Sequence, residues 1–131
     1  MALGLSEAVN AQLNQEQTVL ASAARTTTQT SADYYNYGGR AVIVTLVTTV
    51  IGTGSVTVSI QGKDSASGTY VTLLTGAAVV TNTTNKYIVS PDLTAVANSI
   101  AKDHLTPLFR VVVTANNANS ATYSVGLALV K

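Results

Sequence analysis

Between Arg40 and Asp64 the chain reads RAVIVTLVTTVIGTGSVTVSIQGKD, and its apolar residues recur at period two. Side chains on a strand point alternately to its two faces, so this pattern fits β-structure and not a helix. Val56, Val58 and Ile60 fall on one face, with Ser55, Thr57, Ser59 and Gln61 on the other, as in a half-buried strand. Upstream, Val42, Val44 and Leu46 share one face, while Ala41, Ile43 and Val47 share the opposite one. A strand apolar on both sides is expected in the middle of a sheet, covered twice. Between the two strands, Ile51-Gly52-Thr53-Gly54 supplies two residues that tolerate positive φ, so a hairpin is expected here.

The rest of the chain continues in kind. Strands are expected at Thr18–Arg25, Thr69–Leu74, Ala77–Thr81, Lys86–Val89, Leu108–Ala115 and Ala121–Val130, with the fourth pairing back on the third. Polar turns separate them, such as Lys63–Gly68, Asn82–Asn85 and Asn116–Ser120. Thr26–Ala32 reads as a linker. Seven or eight short strands at this spacing predict an all-β domain, an antiparallel sandwich or barrel. Its core is expected to hold Val44, Leu46, Val58, Ile60, Val111, Val113, Tyr123, Val125 and Leu127. One interior segment breaks the pattern. In Pro91–His104, Leu93, Val96, Ala97 and Ile100 follow helical spacing, with Ser90 as cap and Pro91 at the first turn, which predicts one short helix.

The first seventeen residues differ from all that follows. Leu5, Val9 and Leu13 recur every four residues among Asn, Gln and Glu, too thin a stripe for a helix docked on its own core. Two readings stand: a terminal helix lying on the domain, or an arm that orders against a partner. Short isolated helices are marginal in water, which favours the arm. The chain thus divides into an arm, residues 1–17, and a β-domain, residues 18–131. Leu3, Leu5, Val9 and Leu13 are the arm's candidate partner contacts. A second candidate patch is Asp33-Tyr34-Tyr35-Asn36-Tyr37-Gly38-Gly39, which carries half of the six tyrosines. Tyr34, Tyr35 and Tyr37 either cover one end of the core or form a contact surface, a role to which tyrosine is suited.

Composition narrows the chemistry. Charged residues are only 10% of the chain and the formal net charge is +1, against roughly 25% charged in ordinary domains. A nearly neutral, Thr/Ser/Asn-rich surface suits assembly. No Lys/Arg cluster exists to neutralise phosphates, so nucleic acid is not expected as a partner. No stretch is long and lipophilic enough for a membrane-spanning helix, and MALGLSEAVN has no basic region or apolar run, so neither membrane nor signal peptide is expected. There is no cysteine, which excludes disulfides and a thiolate nucleophile and fits synthesis in a reducing cytoplasm. The single histidine, His104, adjoins Asp103, but neighbouring side chains point apart, and a relay needs the acid on the ring. Asp64 sits in a turn without the further oxygens that calcium requires. No metal, cofactor or catalytic site is expected, and the protein reads as a non-enzyme. Arg110, within an apolar strand, either faces solvent or pairs with an acid.

One resemblance adds to this. Ala24-Arg25-Thr26, Ser31-Ala32-Asp33 and Tyr37 are followed by Val56-Thr57-Val58-Ser59-Ile60-Gln61-Gly62-Lys63-Asp64 and Gly68-Thr69-Tyr70. Leu93-Thr94-Ala95, Phe109-Arg110-Val111 and Tyr123-Ser124-Val125-Gly126 come after. As an ordered set, from Thr18 onward, these resemble small β-sandwich virion proteins of tailed bacteriophages, above all capsid decoration (cement) proteins. The resemblance implies a structural protein on the capsid exterior, made in the host cytoplasm. It implies the major capsid protein as partner, a homo-oligomer with a trimer favoured, and no cofactor. The alternative it leaves is a neck, tail or head-fibre component, with glycan binding through the tyrosine loop.

Overall fold

A computed structural model of the chain describes residues 15–36 and 38–131. Ten strands account for the regular structure among them, and seven of these are six residues or longer. They are β1 (Gln15–Arg25), β2 (Gln29–Thr30), β3 (Tyr34–Tyr35), β4 (Ala41–Val50), β5 (Val56–Lys63), β6 (Tyr70–Thr75), β7 (Thr84–Val89), β8 (Ile100–Ala101), β9 (Leu108–Ala115) and β10 (Ala121–Val130). One sheet runs β1-β10-β4-β7-β8. The other runs β2-β9-β5-β6, with β3 also on β9, so the fold is an all-β sandwich of two five-stranded sheets. Every pairing is antiparallel except β7 with β8.

Alternation places the core between the sheets. Val42, Val44 and Leu46 of β4 and Tyr123, Val125, Leu127 and Leu129 of β10 face Val56, Val58 and Ile60 of β5 and Phe109, Val111 and Val113 of β9. All nine residues expected in the core are buried. β9 and β10 have the bounds that the sequence predicts.

Four expectations are corrected. First, β4 and β5 are not a hairpin. β4 pairs with β10 and β7, and β5 pairs with β9 and β6, so Ile51–Ser55 arches from one sheet to the other. Gly52 there has φ 52°, and Gly54 N–H donates to Ile51 O at 2.7 Å. Second, β4 is central, but its outer face, Ala41, Ile43, Thr45 and Val47, stays half-exposed, and no described strand covers it. Third, Ala77–Thr81 is no strand. It makes a single bridge, Val79 to Val56, and β7 pairs with β4 instead. Fourth, residues 91–104 hold no helix. They form turns, a bridge from Val96 to Ile100, and β8. Asn98 takes φ 64°, a left-handed conformation that ends any helical run. Leu93 and Val96, two of the four residues in the helical stripe, are exposed.

At the N-terminal side, β1 begins at Gln15. Gln15, Glu16 and Gln17 pair with Leu129, Ala128 and Leu127, so these three residues of the expected arm belong to the first sheet. Leu3, Leu5, Val9 and Leu13 lie outside the described residues, as does Tyr37.

Candidate partner-binding surface

Two regions gather the side chains of interest, and Asp33 joins them. The first is a side opening of the sandwich, where β1 of one sheet overlies β3 of the other. A cleft of about 230 Å³ lies there, lined by Gln17, Tyr34, Tyr35, Phe109, Leu127 and Leu129 among others. Tyr34 and Tyr35 pair with Phe109 and Leu108, and adjacent strand residues point to opposite faces. Tyr34 therefore turns inward, its ring 5.8 Å from that of Phe109, and burial pushes its hydroxyl pKa up. Tyr35 turns outward and is 63% exposed. Tyr34 thus covers one end of the core, while Tyr35 leaves its ring open to solvent. Asn36 fixes the loop: its amide donates to Leu105 O at 3.2 Å, and its Oδ1 accepts from Gly39 N–H at 2.6 Å.

The second region lies on the outer face of the β9-β5-β6 sheet. Register sets Gln61 beside Arg110, and Lys63 beside Tyr70. The Arg110 guanidinium lies over the Tyr70 ring, 3.4 Å from its centroid, and its Nε donates to Gln61 Oε1 at 2.8 Å. Tyr70 in turn donates its hydroxyl to Asp33 Oδ1 at 2.7 Å, and Lys63 Nζ donates to Asp33 Oδ2 at 2.9 Å. The Tyr70 hydroxyl, then the Lys63 ammonium, hold the Asp33 carboxyl below its ordinary value, and Asp33 raises Lys63. Lys63 and Asp33 cancel in charge, so the cluster carries the single positive charge of Arg110. Of the two outcomes that the sequence left open, Arg110 takes the outward, solvent-side position, half-buried there by Tyr70, and no ion pair to an acid forms among the described residues. Lys63, Tyr70 and Gln61 escape sequence reading because nothing in linear order shows which strands are neighbours. Their outward parity was the one available signal.

The remaining candidates are dispersed. His104 is exposed, and Asp103 accepts from its backbone N–H rather than its ring. Asp64 accepts from Ser67 Oγ at 2.6 Å within its own turn. No group of three metal-ligating side chains occurs among the described residues.

No family model matches the chain, and no curated protein matches it in sequence. Its arrangement of strands does have a counterpart among solved structures. The fold is similar to that of SPBc2 prophage-derived protein YomS. The TM-score is 0.52 at 11% sequence identity, over 88% of this chain and 92% of that one.

Proposed function

We propose that the protein is a structural component of a tailed-bacteriophage virion, and that it decorates the outer surface of the capsid and stabilises the head. The observation that carries this reading is the likeness of nearly the whole fold to a prophage-derived protein. The low charge of the surface supports it, since weak electrostatic repulsion favours dense packing of copies. In this reading the partner is the major capsid protein, and the decoration unit is a homo-oligomer, a trimer, over three-fold positions. It binds through non-catalytic surfaces: the arm with Leu3, Leu5, Val9 and Leu13, and the loop with Tyr34, Tyr35 and Tyr37. The protein has no enzymatic role and no cofactor.

Cryo-electron microscopy of the particle, with copy number by quantitative mass spectrometry, tests this. Decoration gives hundreds of copies on the capsid exterior. About a dozen copies or fewer, at a symmetric portal or tail position, would replace it with a neck, tail or fibre role.

A further inference from the structure

We infer that Arg110, held flat on Tyr70, is a carboxylate-binding fork, and that its occupant is Glu16 of a second copy of this chain. This deepens the oligomer proposed above and rests on that reading.

The fork is built before anything binds. Stacking on Tyr70 fixes the guanidinium plane, and the bond from Nε to Gln61 fixes its rotation. Tyr70 is itself held by Asp33, and Asp33 by Lys63. A planar guanidinium prepared in this way loses little entropy on binding, and its remaining edge matches the two oxygens of a carboxylate. Among the described residues, Nε is the only Arg110 nitrogen with an acceptor, and neither Nη group has one. The nearest acid, Asp33, already accepts from Lys63 and Tyr70. The site therefore has donors and a positive charge to spare, and it lies on the open face of a sheet, as a macromolecular contact needs. Tyrosine and arginine are also the residues that most often dominate such contacts.

The occupant follows from the carboxylates. Among the described side chains, Asp33 pairs with Lys63, Asp92 with Arg40, Asp64 with Ser67, and Asp103 with the backbone of His104. Glu16 alone has no partner, and it is exposed on β1. Arg110 and Glu16 sit on different sheets, so the contact joins unlike surfaces of successive copies. Such a heterologous contact closes into a ring when its rotation permits.

Sedimentation velocity on the full chain tests the contact. The wild type should sediment as a closed oligomer. Arg110→Glu and Glu16→Arg should each weaken association at least a hundredfold while keeping the wild-type circular dichroism spectrum of a folded β-domain, and the double reversal should restore association. Arg110→Gln, which keeps a polar side chain on Tyr70, should weaken it without repulsion. A trimer that persists in Arg110→Glu would overturn the contact while leaving the decoration reading intact. So would loss in Arg110→Glu without loss in Glu16→Arg, which would assign the fork to another acid. A wild type that is monomeric at every concentration overturns the contact as well, and particle copy number then judges the decoration reading separately.

Discussion

At the scale of single residues, burial and hydrogen bonding fix what a substitution does. Val58 is fully buried on β5, which lies between β9 and β6, and packs into the core between the two sheets. Val58→Asp would place an unpaired charge there at a cost of several kcal/mol, against a total stability of about 5–15 kcal/mol. The variant should show no cooperative thermal transition by circular dichroism. A soluble variant with the wild-type melting temperature would remove the strand assignment. Asp33 offers a pH test. Its carboxyl has a folded pKa below the ordinary 3.8, held down first by the Tyr70 hydroxyl and then by Lys63. A depressed acid contributes stability that is complete above its unfolded value and is lost as pH falls through the folded one. Melting temperature should therefore fall below about pH 4, and Asp33→Asn should lower it at neutral pH while flattening that acid limb. An acid limb of unchanged steepness in the variant would show that Asp33 contributes nothing.

At the scale of elements, parity was legible and partnership was not. Alternation in Leu108–Ala115 and Ala121–Val130, bounded by a Pro-containing loop and an Asn-rich turn, defines β9 and β10 to the residue. Alternation says which face a residue shares but not which strand lies alongside. A strand–turn–strand pattern therefore describes an arch as well as a hairpin, and the alternation in Arg40–Asp64 fits both. The same blindness hid the stack of Arg110 on Tyr70, whose residues meet only through β5 between them. In residues 91–104 the helical spacing was real, but two of its apolar residues face solvent and a left-handed Asn98 interrupts it. The arch itself makes a prediction. A Cβ at Gly54 would come within 2.9 Å of the backbone oxygens of Ile51 and Ser120, whereas one at Gly52 would meet nothing within 4 Å. Gly54→Ala should cost about 1–3 kcal/mol in urea unfolding, because the backbone must move. Gly52→Ala should cost about 1 kcal/mol, for its positive φ alone. Equal effects would mean that the loop is looser than the described geometry.

At the scale of the whole molecule, the described residues by themselves supply all ten strands of the two sheets, and all of the described pairing of β1 is to β10. Removing residues 1–14 should leave the melting temperature within a degree or two and yet greatly weaken binding to particles. Truncated protein that unfolds would place the arm in the core, and truncated protein that binds as tightly would move the anchor to Tyr34 and Tyr35. Chelation is the second global test. With no cluster of ligands among the described residues, EDTA should not shift the melting temperature, and a drop of several degrees would reveal a missed ion. The pairing of Gln15 with Leu129 also has a practical outcome. A peptide appended beyond Lys131 leaves the fold at the same corner as the arm. If the arm grips the shell, that corner faces inward, and an epitope fused there would be hidden. The turn at Asn116–Ser120 lies at the opposite end of β10, roughly 30 Å away at the rise of an extended strand. It is the place to insert cargo meant for display.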